Sequence, residues 1–240
     1  MKHAMYLFGL LIFSMLLISS CGKGKPDTDS DEPVEEAPDA VVEQEEEAPA
    51  VSVYWSNLSL REEPVKDGKY ITAIKLGEKM TYLGLSATDS ANKTDYIKVR
   101  LMDGKEGWAQ SNLIVINGDP AVLIKDAEIY SRPDLLTKTD KKYSKMDVVA
   151  VMQSQGEWIE VKGKRKEGSW VETGWIKPIN ISYEPADIAV AVFTNRALDK
   201  DSREDQIAGL EDIVKNSDLS TSELIPAVIE MLDQLQYENQ

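Results

Sequence analysis

Short alternating runs separated by turn residues fill the chain from residue 51 to about residue 181, the pattern of small antiparallel β units. In YIKVRL (96–101), Ile97, Val99 and Leu101 point one way while Tyr96, Lys98 and Arg100 point the other. Asp103-Gly104 follows and predicts a tight hairpin turn, because glycine tolerates the positive φ such a turn needs. Gly107-Trp108 opens the return strand. Upstream, KMTYLGL (79–85) sets Met80 and Tyr82 against Thr81 and Leu83, and LSLREEP (58–64) opens the unit. Past residue 182 the period becomes helical. ADIAVAVFTNRALDK (186–200), SREDQIAGLEDIVKN (202–216) and SELIPAVIEMLDQLQ (222–236) carry apolar residues at three- and four-residue spacing. Ser202 is a predicted N-cap with Glu204 and Asp205 in the first turn, and Ser222 with Glu223 repeats the device. Pro226 falls in the first turn of the last segment, where it is tolerated.

The β pattern is written twice. AEIYSRP (127–133) follows the opening, KMDVVAVM (145–152) the middle and WIEVK (158–162) the YIKVR strand, and Gly174-Trp175 repeats Gly107-Trp108. The offset is 69 residues from Leu60 to Ile129 and 67 from Trp108 to Trp175. The second copy has a shorter front segment and a hairpin five residues longer, which carries Lys164, Arg165, Lys166 and Trp170. Repetition at this length predicts two tandem domains rather than a solenoid. Units this small are marginal alone, so the two are expected to pack together. The expected fold class is mainly β: two tandem small barrels, then a small α-helical C-terminal region packed on the second.

The N-terminus changes where this chain is expected to live. Lys2 and His3 precede a run of thirteen residues, Tyr6 to Ile18, broken only by Gly9 and Ser14. That run is short for a membrane span and leads into ISSC (18–21), as a signal peptide does. A branched residue three before a cysteine, with small residues between, resembles the bacterial lipobox. The resemblance implies cleavage before Cys21, a diacylglycerol on its thiol and an acyl chain such as palmitate on its amine. Two or three chains give durable membrane anchoring, at ~0.8 kcal/mol per buried methylene. Gly22 after the cysteine implies the outer membrane, in a bacterium that has two membranes and follows the sorting rule known for some lipoproteins.

Cleavage also removes His3, the only histidine, while lipid consumes the only thiol. The mature chain then has neither imidazole nor free thiol. Cys-His and Ser-His-Asp hydrolysis, His-ligated zinc and disulfides are excluded, and no cofactor or metal is expected. DKDSREDQ (199–206) lacks the glycine and the closing acid of an EF-hand. Residues 26–50 hold eleven acidic residues, four prolines and no Lys or Arg, which predicts a disordered tether. Outside them the chain is only mildly acidic although its net charge is −15, which argues against nucleic acid as partner. The expected division is a signal peptide (1–20), a tether (21–50), a first β domain (51–118), a divergent second (119–181) and the helical region (182–240).

LSLREEP, GEKMTYLG and YIKVRLMDGKEGWAQSNLI resemble the bacterial SH3 (SH3b) domain, with Tyr96 where that family more often has Trp. Residues 119–181 resemble it less, since Ile129-Tyr130 replaces the Leu-Arg pair of the opening. Trp108 and Trp175 are expected in the barrel cores. Tyr96 and Trp158, opposite the Ile/Val side of their strands, are expected to be half-exposed. With Tyr70 and Trp170 they are the candidate ligand-binding residues, and Tyr82 and Trp55 complete a possible aromatic groove. The run Lys162, Lys164, Arg165, Lys166 is either a solvated hairpin tip or a contact for carboxylate-bearing ligands. No acidic residue stands in a recognisable catalytic motif. The resemblance therefore implies a non-catalytic, lipid-anchored envelope protein binding peptide-like ligands, either peptidoglycan stem peptides or another envelope protein. A surface-exposed interaction lipoprotein meeting external or host partners is the alternative.

Overall fold

A computed structural model of the chain describes residues 43–237. The expected signal peptide, Cys21 and the tether up to residue 42 lie outside the described residues. The first sheet contains β1 (Glu43–Gln44), β2 (Ala48–Ser52), β3 (Leu58–Arg61), β4 (Tyr70–Ile74), β5 (Lys79–Asp89), β6 (Thr94–Leu101), β7 (Glu106–Gln110) and β8 (Ile114–Ile116). The second contains β9 (Asp119–Leu123), β10 (Ala127–Tyr130), β11 (Lys138–Tyr143), β12 (Val148–Gln155), β13 (Trp158–Lys164), β14 (Val171–Ile176) and β15 (Ile181–Ser182). Three helices follow: α1 (Pro185–Leu198), α2 (Arg203–Lys215) and α3 (Ile225–Tyr237). The expected mainly β fold with a small helical C-terminal region is what forms.

Strand order in the first sheet is β4-β3-β7-β6-β5-β2-β8, and in the second β11-β10-β14-β13-β12-β9-β15. Position by position the two paths are the same. Each sheet encloses its own apolar cluster, which one sheet can do only by bending back on itself. Leu60, Ile74, Tyr82, Val99 and Ala109 fill the first of these barrels, and Ile129, Tyr143, Val149, Val161 and Ile176 the second. Strand β2 begins at Ala48, three residues before the start expected at residue 51, and pairs Ala50 with Met80 and Ile116. Only Asn117 and Gly118 separate β8 from β9, and the Asn117 N–H donates to the Pro49 carbonyl at 2.7 Å.

The unbroken run VVAV (148–151) shows why the two barrels and the helices form one body. Val149 and Val151 turn into the second barrel's core, Val148 faces the helices, and Ala150 meets Val51, Val53 and Val115 of the first barrel. A strand buried on both faces reads as continuous apolar sequence. Helix α1 lays Val190, Ala191 and Val192 on Val122 and Val148, in a cluster that also takes in Leu210, Ile213, Leu224 and Val228 of the other helical segments.

The helix starts divide. Ser202 caps α2 as expected, its Oγ accepting from the Asp205 N–H at 3.0 Å and donating to the Asp205 carboxylate at 2.6 Å. Ser222 serves another purpose, because α3 begins only at Ile225. Its hydroxyl donates at 2.6 Å to the buried Asp187, whose carboxylate also accepts from Ser182 Oγ and the Glu223 N–H. Asp187 thereby ties β15, α1 and the approach to α3 together. Among the described residues no helix is long and apolar enough to cross a membrane.

Candidate functional site

The repeated Gly-Trp pair has a steric origin. A Cβ on Gly107 would lie 2.6 Å from the Arg61 carbonyl oxygen and 2.8 Å from Leu60 Cγ, and one on Gly174 would lie 2.4 Å from Ile129 Cγ2. Glycine lets the return strand press onto the opening strand at this crossing. The residue after it then faces outward. Ala109 and Ile176, not the tryptophans, enter the cores. The expectation that Trp108 and Trp175 fill the cores is therefore corrected. Trp108 is half-buried opposite Arg61 and Lys98, and Trp175 is buried opposite Tyr130 and Glu160.

Tyr96 and Trp158 also lie opposite the Ile/Val side, but they are not half-exposed: 2 % of Tyr96 and 8 % of Trp158 is accessible. The outer face carries side chains of neighbouring segments, Tyr130 and Lys177 against Trp158 and residues of β3 beside Tyr96, which the alternation within a strand does not report. Tyr82 is core at 2 %. Tyr70 (57 %) and Trp170 (75 %) are exposed, the first opening β4 opposite Arg61, the second in the β13–β14 hairpin. The aromatic residues picked from sequence thus do not form one groove.

What forms around Tyr96 is a smaller pocket of about 150 Å³. Its walls come from four places: Tyr54 before β3, Leu58, Ser59 and Arg61 on β3, Lys66 in the β3–β4 loop, and Tyr96, Gln110 and Leu113 on the far side. The Tyr96–Gln110 pair is a direct cross-strand register. Arg61 is held in place, donating from a terminal nitrogen to the Gly68 carbonyl at 2.6 Å. The loop carrying Lys66 is anchored through its backbone N–H to Asp89 at 3.2 Å. Asp89 also accepts from the Asn92 side chain and the backbone N–H groups of Ala91 and Asn92. The Asn92 amide, followed by those backbone donors, holds its carboxyl below the usual range. Cationic and amide donors from Arg61, Lys66 and Gln110 beside Tyr54, Leu58, Tyr96 and Leu113 suit a peptide-like ligand that bears a carboxylate or amide.

Missed by sequence reasoning were Tyr54, Lys66 and Gln110, and Arg61 was noted only as part of the LSLR opening. The signal was present in the 69- and 67-residue offsets, which align Arg61 with Tyr130 and Gln110 with Lys177. In the second barrel those aligned residues close the corresponding place. Trp158 packs edge-on against Tyr130 at 4.7 Å between ring centroids, and Lys177 Nζ sits 3.8 Å from the Trp158 centroid. Lys177 is braced in turn by Glu157 at 3.3 Å. A stack stands where the first barrel has a pocket.

Residues 56–115 match the family model of the bacterial SH3 domain. That segment carries Arg61, Lys66, Tyr96 and Gln110, four of the residues that line the pocket. No curated protein matches the chain. Among solved structures, NlpC2 from Trichomonas vaginalis is 12 % identical, with 70 % of this chain and 55 % of that one covered and a TM-score of 0.24. The putative autolysin from Listeria monocytogenes is 15 % identical over 60 % of this chain and 65 % of that one, with a TM-score of 0.27. The endolysin LysPBC5 CBD is 17 % identical over 57 % of this chain and 94 % of that one, with a TM-score of 0.23. This chain spans about half the length of the Trichomonas protein. Among the described residues no group of three or more His, Cys, Asp or Glu is placed to hold a metal ion.

Proposed function

We propose that this chain is a non-catalytic envelope lipoprotein, anchored through Cys21, whose first barrel binds peptide-like wall ligands. The bacterial SH3 segment sits on the membrane's periplasmic or outer side at the end of the acidic tether. The second barrel is a divergent copy of the first that serves as a platform rather than as an equal binding module. One observation carries this division: the pocket at Tyr96, with Arg61, Lys66 and Gln110 on its walls, against the Tyr130–Trp158–Lys177 stack in the same place of the other barrel. Peptidoglycan stem peptides fit the chemistry, since they present carboxylates and amides beside small apolar groups. Cosedimentation of the full-length chain with purified wall sacculi tests the proposal. Wild type is expected in the pellet, and Lys66→Glu, a change on an exposed loop, is expected to move most of it to the supernatant. Equal sedimentation of the two proteins contradicts it. For the anchor, Cys21→Ser is expected to abolish partition into detergent, and a wild-type chain with a free thiol at Cys21 contradicts that part.

A further inference from the structure

A second and larger cleft, of about 480 Å³, opens between the first barrel, the β13–β14 hairpin and helix α1, away from the Tyr96 pocket. Six cationic side chains line it: Lys75, Lys145, Lys164, Arg165, Lys166 and Arg196. Asp147 and Asp199 are the carboxylates on its walls. This is a cationic concentration in a chain whose net charge is −15. The basic run of the hairpin is thus not a free solvated tip. Arg165 in particular is 13 % exposed at its side chain and pairs with Glu172 at 3.1 Å.

Two buried polar atoms on the cleft lack hydrogen-bond partners among the described residues. Thr194 is 1 % exposed, and its Oγ1 is unpartnered; the Nε of Arg165 is in the same condition. Buried donors are ordinarily satisfied, because an unpaired one forfeits its hydration without return. Both residues line the same cleft. Asp147 is not their partner: its carboxylate accepts the backbone N–H groups of Ser144 at 2.8 Å and Lys166 at 3.2 Å. One wall is apolar. Trp55 is 38 % exposed there, with Lys164 Nζ 5.1 Å from its ring centroid, and Val53 and Val192 flank the opening.

We propose that this cleft binds an oxyanion, carboxylate or phosphate, joined to a flat apolar group. The anion takes the open valences of Arg165 Nε and Thr194 Oγ1 under the surrounding lysines, and the apolar part lies on Trp55. A long polyanion is disfavoured by the acidity of the rest of the chain, while a ligand of one or two rings fits the volume.

Isothermal titration calorimetry on the full-length chain tests this, with benzoate and phenyl phosphate as probes and benzamide as the neutral control. Saturable binding of at least one anion is expected, with benzamide at least tenfold weaker. Preference for benzoate assigns a carboxylate ligand, and preference for phenyl phosphate assigns a phosphate ester. Lys145→Glu and Lys166→Glu alter exposed side chains and are expected to weaken the anion at least tenfold with an unchanged unfolding midpoint. Lys66→Glu, at the Tyr96 pocket, is expected to leave it unchanged, so this site and the wall-binding site fail separately. Absence of saturable binding by both anions, benzamide binding as tightly as they do, or undiminished binding by the two Glu variants overturns the proposal.

Discussion

The two barrels share a strand order and differ in how one place on their surface is filled. In the first, Arg61, Tyr96 and Gln110 leave an opening that polar groups line. In the second, Tyr130, Trp158 and Lys177 fill the corresponding place with an edge-on aromatic contact capped by an ammonium. The backbone ladders are alike, with Arg61 opposite Trp108 in one and Tyr130 opposite Trp175 in the other. Three aligned pairs of side chains therefore separate an open pocket in one barrel from a filled position in the other. Both barrels contribute to the cluster that joins them, through Val51, Val53 and Val115 on one side and Ala150 on the other.

The largest expected effect separates the two tryptophans. Trp175 is 8 % exposed, so Trp175→Ala is expected to cost ~3–5 kcal/mol, enough to unfold much of a marginal protein. Trp108 is only half-buried, and Trp108→Ala is expected to cost clearly less. Urea denaturation of the pair reads the difference, and equal losses would show that the two faces are equally covered.

Next in size is the contrast between two buried carboxylates. Burial pushes Asp147 up to about 6, whereas Asp89 is held low by Asn92 and three backbone donors. For Asp147 the folded chain keeps its proton longer than the unfolded one, so this group's contribution falls as pH rises from about 4 to about 6. Above that window it disfavours folding by on the order of 2–3 kcal/mol. Asp147→Asn is accordingly expected to raise the thermal midpoint at pH 8 and to change it little at pH 4. Asp89 has the opposite sign, its contribution being present above the ordinary aspartate range and lost as pH falls. A stabilisation by Asp147→Asn that does not vary with pH contradicts the assignment. The smallest effect concerns the helices: Ser202→Ala removes the α2 cap and is expected to cost ~1 kcal/mol by chemical denaturation.

The strands were legible because their alternation is local. YIKVRL, the Asp103-Gly104 turn (φ +84° at the glycine) and the three helical stripes each fall where periodicity places them. Ser202 was legible for the same reason. Ser222 was not, because its partner Asp187 is 35 residues away in sequence. The start of β2 was hidden by composition, since Ala48–Ser52 follows EQEEE and contains a proline. Alternation also separates the two faces of a strand without saying what covers each. That is why alternation puts Tyr96 and Trp158 on the right face without their burial, and does not tell the Gly-Trp tryptophans from core residues. Of the cleft, the sequence shows only the basic run of the hairpin and Trp55, as Thr194 comes to line the same cavity as Arg165 only through the docking of α1.

Exchanging two of these three side chains, with the Tyr96 and Trp158 rings left in place, tests the central claim most directly. One variant, Arg61→Tyr with Gln110→Lys, builds the second barrel's seal into the first; the other, Tyr130→Arg with Lys177→Gln, removes that seal from the second. Both are compared with wild type as full-length chains by cosedimentation with purified wall sacculi, after thermal unfolding confirms that each is folded. The expected result is loss of at least tenfold in binding for the first variant and retained or increased binding for the second. A sealed first barrel that sediments like wild type, or loss of binding confined to the second variant, would contradict the account.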